Sequence, residues 1–364
     1  MNNRRLIIDL FALHKNKGYG FQQYILNLLD FFYTHRNIII YDRVVLVCKD
    51  TETVILSKYT DKFEVIDFHT YNYLHRLWLQ TIMPFRLNLT KDDLLLYPAN
   101  TSGLIKRSPS LLVIHDLLFK RKAWLPDTLM RWQREILIPI SIRNADKIVA
   151  ISEFTKHDIE QFYPKSRGKV EIIYNPFNFR KYEGDKNAEL GCNYFLAIST
   201  NVDYKNQKTI LKAFENYCKN GGDKSLVLIG RINEGSEAHQ LYIGLSEDVK
   251  GKIIWRSNIS NEELGALYRS ASCFISASKF EGLGMPVVEA MSFGLPVLLS
   301  DIPPHREVSL DKGEYFEPED AEGLCAKMLN MSFEKKHYSE EVRDLFSDGN
   351  TAARYVELIN SMVK

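Results

Sequence analysis

The sequence predicts an α/β protein in which two successive halves each alternate strand and helix around a parallel sheet. Three observations carry this expectation. Short apolar runs recur along the whole chain, separated by stretches whose apolar residues fall at helical spacing. The runs hold few polar residues, as strands covered on both faces do. The chain has 364 residues, 45% hydrophobic and 26% charged, which is ordinary for a soluble globular protein and enough for two buried cores.

In the first half, Leu6 to Leu10 is a strand, and the loop after it carries Gly18-Tyr-Gly20. A tight turn there leads into a helix with Phe21, Tyr24, Ile25, Leu28 and Leu29 at helical spacing. Val44 to Val47 and Glu64 to Phe68 read as strands. Tyr73 to Leu87 reads as a helix rich in aromatic and basic residues (Tyr73, His75, Arg76, Trp78, Arg86), suited either to core packing or to a membrane surface. Leu94 to Tyr97 and Leu111 to Ile114 are further strands, and the second runs into His115-Asp116. An ionisable pair at the carboxyl end of a parallel strand stands where such folds bind ligands, with a structural histidine as the alternative. Phe119-Lys-Arg-Lys122 adds positive charge. Pro126 to Arg143 is a long helix, Asp146 to Ser152 a strand, and Ser152 caps the helix that follows. Val170 to Tyr174 closes this half.

A polar, turn-prone linker from Asn175 leads to a new strand at Tyr194 to Ile198. The loop Ser199 to Asn206 precedes a helix with Ile210, Leu211, Ala213 and Phe214 on its apolar face. Ser225 to Gly230 is a strand followed by Arg231, and Lys252 to Trp255 is another, followed by a loop with Asn258. Phe274 to Ser276 ends a buried strand, and Pro296 to Leu299 opens the next.

Between those two strands lie Glu281-Gly-Leu-Gly284-Met-Pro286 and a helix carrying Glu289. Gly282 and Gly284 free the backbone for tight turning, and Pro286 fits the first helical position, where a missing N–H costs nothing. Backbone N–H groups of Gly282, Leu283 and Gly284, with the positive end of a helix behind them, make a site for an anion such as phosphate. Two carboxylates frame it. Glu281 can point beside the phosphates, and Glu289 can accept both hydroxyls of a diol such as ribose.

Glu281, the Gly-Leu-Gly-Met-Pro loop, Glu289-Ala-Met and Gly294-Leu-Pro296-Val together resemble the Glu-x7-Glu signature of retaining glycosyltransferases of family 4, which have the GT-B fold. Ala145-Asp-Lys-Ile-Val-Ala-Ile-Ser-Glu-Phe-Thr-Lys-His-Asp158 matches a second family pattern. The resemblance implies two Rossmann-like domains facing a central cleft, at 1–175 and 176–347. It also implies a C-terminal segment, 348–364, whose helix from about Thr351 to Met362 crosses back onto the first domain. It places His115 and Glu281 against the transferring sugar. It sends Gly18 and Gly20 toward the donor, puts Asn201 and Lys205 in the loop that holds the diphosphate, and sets Asn258 beside the nucleobase. Two departures stand out. Tyr204 replaces an arginine of the diphosphate loop, so Arg231 is the candidate for the missing cation, and Pro176 replaces a glycine at the start of the linker.

The net charge of +1 hides an asymmetry. Residues 1–178 hold 25 Lys and Arg against 18 Asp and Glu, a net +7, and the remainder is acidic. A basic half suits an anionic membrane surface or acceptor, or is simply a solvated face. No apolar run is long enough to span a bilayer, and the five scattered cysteines read as thiols in a reducing cytoplasm. No Asp-x-Asp and no metal-ligand cluster occurs, so neither cofactor nor metal is expected, and no P-loop supports an ATPase. The expectation is a cytoplasmic, metal-independent hexosyltransferase that uses a nucleoside-diphosphate sugar (mannose, glucose or an N-acetylated sugar). The acceptor would be a glycan or lipid-linked chain in surface polysaccharide assembly, with no nucleic-acid partner. A nucleotide-sugar epimerase or hydrolase, or a non-catalytic sensor, are the alternatives.

Overall fold

The computed structural model describes residues 4–13, 20–49, 53–68, 73–121, 128–184, 193–199 and 202–363. Gly18, Lys122, Cys192 and Asn201 lie outside the described residues, and so do the side chains of Tyr73, His75, Arg76 and Trp78. The chain divides into two compact units, Met1–Phe177 with Phe346–Lys364, and Asn178–Leu345.

The first unit is built on seven strands: β1 (Arg5–Asp9), β2 (Arg43–Cys48), β3 (Glu64–Asp67), β4 (Leu94–Tyr97), β5 (Ser110–Ile114), β6 (Lys147–Ala150) and β7 (Val170–Ile172). They lie in the order β3-β2-β1-β4-β5-β6-β7, and every neighbouring pair is parallel. β4 and β5 are buried along their whole length, which is why they read as unbroken apolar runs. The helix Gly20–Thr34 buries Tyr24, Ile25, Leu28, Leu29 and Phe32, four of them anticipated from spacing. Ser152 caps the helix Glu153–Phe162, its Oγ accepting the Thr155 N–H at 2.9 Å.

The last helix, Asp348–Ser361, belongs to this first unit. Its Tyr355 is fully buried and meets the Tyr24 hydroxyl at 3.0 Å, and Asn360 donates to the Ile38 carbonyl at 2.8 Å. The chain leaves and re-enters the unit side by side. The Phe177 N–H donates to the Phe346 carbonyl at 2.9 Å, and the Asp348 N–H to the Phe177 carbonyl at 3.2 Å. Pro176, the residue standing where the resembled family has glycine, offers its carbonyl to Asn27 Nδ2 at 2.8 Å.

The second unit has six strands: β8 (Tyr194–Ser199), β9 (Ser225–Gly230), β10 (Ile253–Arg256), β11 (Cys273–Ser276), β12 (Val297–Ser300) and β13 (Glu314–Phe316). Their order is β10-β9-β8-β11-β12-β13, again parallel throughout. The core joins Phe195, Leu228, Cys273 and Leu298 to the helix Gln207–Lys219. Strand order reverses between β8 and β11, so the loops leaving their carboxyl ends open a crevice of the kind where doubly wound sheets bind ligands. Element ends differ from the sequence expectation by a residue or two, and Pro286 is the second residue of its helix, not the first.

The return of the last helix predicts a stability effect. Tyr355→Ala removes a fully buried aromatic ring, and denaturant unfolding of the first unit should show a loss of about 3–5 kcal/mol. Tyr355→Phe keeps the ring and should cost only about 1–2 kcal/mol, for the hydrogen bond to Tyr24.

Candidate functional site

The loops after β8 and β11 are stitched together by their backbones and one asparagine. The Lys279 N–H donates to the Tyr204 carbonyl at 2.7 Å. Asn206 takes a left-handed φ of 56° at the start of the helix Gln207–Lys219, a conformation its short polar side chain tolerates. Buried, it donates from Nδ2 to the carbonyls of Ala277 and Pro318, while its Oδ1 accepts from Thr209 Oγ1 at 2.9 Å. Tyr204 thus has a scaffolding role through its backbone that the arginine comparison did not suggest. Gly284 has φ 103°, a value that favours glycine, and it opens the helix Met285–Ser292.

This scaffold brings two expected residues into direct contact. Lys205 Nζ meets Glu281 Oε1 at 2.5 Å, with the side chains only 16% and 12% exposed. Burial pushes the Glu281 carboxyl up, but the Lys205 charge, with hydrogen bonds from Lys205 and Ser278, outweighs it. Glu281 is held below the ordinary carboxylate range and is ionised.

Beneath the pair lies a fully buried histidine to which the sequence reading gave no role. His305 Nδ1 lies 2.9 Å from the Ser300 carbonyl, which can only accept, so the ring proton sits on Nδ1. Nε2 then accepts from Ser276 Oγ at 3.2 Å. Burial keeps the imidazole below its ordinary value despite the nearby Glu281, so it is neutral. Ser300 Oγ donates to the Ser278 carbonyl at 2.5 Å, which ties this polar cluster to the Glu281 loop. No local pattern links His305 to Glu281. Only the side-by-side placement of β11 and β12 does so.

Glu289 sits in a different environment. Tyr268 donates to its Oε2 at 2.7 Å, and the Tyr182 hydroxyl also hydrogen-bonds the carboxylate. Burial raises Glu289 to about 7 against both of those hydrogen bonds. Tyr182 arrives on the segment Phe179–Tyr182, which is pressed against the helix Asn261–Ser270. Gly265 permits that approach, because a Cβ there would stand 2.2 Å from the Tyr182 carbonyl oxygen. Arg269 fixes the segment by donating to the carbonyls of Tyr182 and Gly184 at 3.0 and 2.9 Å. Neither tyrosine was anticipated. Tyr182 lies in the linker, and Tyr268 in a helix whose residues were given no role.

The other candidates fall elsewhere. Arg231 follows β9 and is exposed, its carbonyl accepting from Gln207 Nε2 at 3.2 Å. Asn258 is exposed with φ 57°, and Gly282 and Leu283 lie beside Glu281 in the β11 loop. In the first unit Gly20 opens the helix whose Phe21 and Tyr24 rings stand edge-on to His115, with centroids at 5.0 and 4.8 Å. His115 Nε2 lies 2.8 Å from the Pro98 carbonyl, which assigns the proton to Nε2 and leaves Nδ1 as acceptor. Burial holds this imidazole below its ordinary value, outweighing the Pro98 carbonyl and the Asp116 charge, so it too is neutral. Asp116 turns to the Leu118 N–H at 2.9 Å. Among the described residues no group of His, Cys, Asp and Glu could hold a metal ion.

Comparison with known proteins places this geometry. A family model described as glycosyl transferases group 1 matches residues 178–357, and one described as glycosyltransferase family 4 matches residues 42–181. An O-antigen chain mannosyltransferase of Salmonella typhimurium, RfbU, is 26% identical over 246 residues, 67% of this chain and 65% of that protein. The serotype-specific mannosyltransferase WbdA of Escherichia coli is 26% identical over 227 residues, 57% of this chain but 28% of that protein. The chain thus spans less than two thirds of either relative's length. A crystal structure of a glycosyltransferase from Rickettsia africae shares the fold, with TM-score 0.72 and 16% identity, and all of both chains covered. With two parallel Rossmann-like sheets and both family signatures in place, the chain belongs to the group 1, family 4 glycosyltransferases of the GT-B fold.

Proposed function

We propose that this chain transfers a hexose from a nucleoside-diphosphate donor to a growing glycan or lipid-linked acceptor, with retention at the anomeric carbon. The observation that carries the reading is the Lys205–Glu281 pair, set where strand order reverses and beside the Gly282–Gly284 loop. The Lys205 ammonium has three donors, and Glu281 occupies one. The other two, with the N-terminus of the helix Met285–Ser292, can hold the leaving diphosphate as its charge develops. The leaving phosphate can itself accept the acceptor's proton, so retention needs no dedicated general base. Glu281, held ionised, supports positive charge on the sugar ring. Glu289 accepts the ribose diol, and Arg231 supplies the charge that Tyr204 lacks. The mannosyltransferase names of the relatives favour surface-polysaccharide assembly and a mannose donor. A neighbour of 14% identity and TM-score 0.70, HepE of Anabaena, was crystallised with UDP and glucose, which keeps a uridine donor in the panel.

Radiolabelled-sugar transfer and donor calorimetry over a panel of nucleoside-diphosphate sugars test the assignment. Glu281→Gln should abolish transfer while the melting temperature stays near wild type. Glu289→Ala and Arg231→Ala should each weaken donor binding by about 1.5–3 kcal/mol, the range for a hydrogen bond to a charged group. Wild-type transfer by Glu281→Gln would remove the assignment, and sugar release without acceptor would favour a hydrolase.

The charge partners named above are protein groups, and the reading is therefore of a metal-independent enzyme. Transfer should persist in excess chelator. A loss that Mg²⁺ or Mn²⁺ restores would place a cation at the diphosphate.

We also propose peripheral contact between the basic first unit and anionic lipid at the inner face of the membrane. Phe85, Leu104 and Ile105 are exposed, with the Arg107 guanidinium 4.6 Å from the Phe85 ring centroid, while Lys106 pairs with Asp146 at 2.6 Å. Among the described residues no helix is long and apolar enough to cross a membrane. Vesicles containing phosphatidylserine should retain the protein at low salt and release it as salt rises, and Arg107→Glu with Ile105→Asp should weaken retention. Equal binding to neutral vesicles would sink the idea.

A further inference from the structure

We propose that Tyr182 and Tyr268 are positioning residues for Glu289, two phenols that hold its carboxylate in one orientation and leave its other lone pairs to the donor's diol. This rests on the reading above that Glu289 receives that diol.

A carboxylate offers about four lone-pair directions. Tyr268 occupies one on Oε2 at 2.7 Å, and Tyr182 takes another. Two of about four then remain, the number a vicinal diol needs. Both phenols are fixed by unrelated means. Tyr268 is fully buried in the last turn of its helix, with its ring stacked on Phe293 at 5.6 Å and an interplanar angle of 13°. Tyr182 is only 4% exposed and is anchored through its backbone, by the close approach at Gly265 and the two Arg269 hydrogen bonds. Two elements far apart in sequence therefore converge on one carboxylate.

The charged groups around Glu289 point elsewhere. Arg269 is spent on the carbonyls of Tyr182 and Gly184 and lies 5.8 Å from the Phe293 ring centroid. Arg343 donates to the Ser292 carbonyl at 2.9 Å and faces the Phe179 ring. Among the described residues, the groups hydrogen-bonded to the carboxylate are the two phenols, and their bonds oppose the burial that raises it to about 7. The sign follows. A raised carboxyl is protonated below its midpoint, and the ionised form accepts a diol better, so donor affinity should rise with pH through neutrality. Removing either phenol removes a bond to the ionised form and moves that midpoint to higher pH.

The test measures binding of GDP-mannose, UDP-glucose and UDP-N-acetylglucosamine by calorimetry across the pH range, for wild type, Tyr182→Phe, Tyr268→Phe and Glu289→Gln. The phosphates of these donors do not change charge near neutrality, and Phe retains each ring. For whichever donor binds, each Phe variant should bind about fivefold more weakly at about pH 6.5 and recover most of the loss by about pH 9. Glu289→Gln should bind weakly with a flat profile. Phe variants that match wild type at every pH, or that lose affinity equally at every pH, overturn the positioning role while Glu289→Gln remains weak. Glu289→Gln binding like wild type, or no donor binding to wild type, overturns the donor reading itself.

Discussion

The ion pair between Lys205 and Glu281 is the interaction on which the site depends. Its partners are 76 residues apart in sequence and meet because β8 and β11 are neighbours at the point where strand order reverses. Burial alone would favour the neutral carboxyl, so the pair survives only because a cation is delivered to it. That delivery needs the two loops in register. The Tyr204 carbonyl and the Asn206 side chain supply it, each holding the β11 side from the β8 side. Removing one member of a shielded pair strands the other, a cost of about 3–5 kcal/mol at fully buried sites and less where water reaches. Such a pair persists where the charges have a use.

The two glutamates of the signature solve opposite problems. Glu281 is beside an ammonium and stays ionised. Glu289 has phenols for neighbours, and burial raises it to about 7 against their hydrogen bonds. The two titratable groups are thus pushed apart by their surroundings. His305 lies on the Glu281 side. As a neutral, doubly hydrogen-bonded ring it fills the space under Glu281 without competing for Lys205.

The scaffold reaches these ends economically. Both sheets are parallel and reverse once, at β1 and β4 in the first unit and at β8 and β11 in the second. Each therefore presents the carboxyl ends of its central strands to a ligand. The segment after Phe177 docks through Tyr182 onto the helix Asn261–Ser270, while the last helix returns to bury Tyr355 against Tyr24 in the first unit.

Much of this was legible in the order of residues, because the relevant physics is local. Apolar runs between helical stretches marked β4, β5, β11 and β12, since strands buried on both faces need no alternation. Ser152 announced its cap, and the glycines and proline around Glu281 announced a turn into a helix, with left-handed backbone at Gly284. Glu281 and Glu289 were singled out by the loop and helix around them, and Lys205 by the family resemblance. Their partners were not, because partnership is decided by which strands become neighbours. His305 reads as one more residue of a proline-rich helix start, Tyr268 as one more of its own helix and Tyr182 as linker, until β11 lies beside β12 and Gly265 admits the Tyr182 backbone. Tyr204 looked like a lost charge, and its contribution is a carbonyl, which no side-chain pattern reports. The sequence by itself determined the elements and the chemical types at the site, since these follow from propensity and local turn geometry. Only the tertiary structure decided which groups meet and therefore which carboxylate is ionised, because desolvation and pairing act through space and not along the chain.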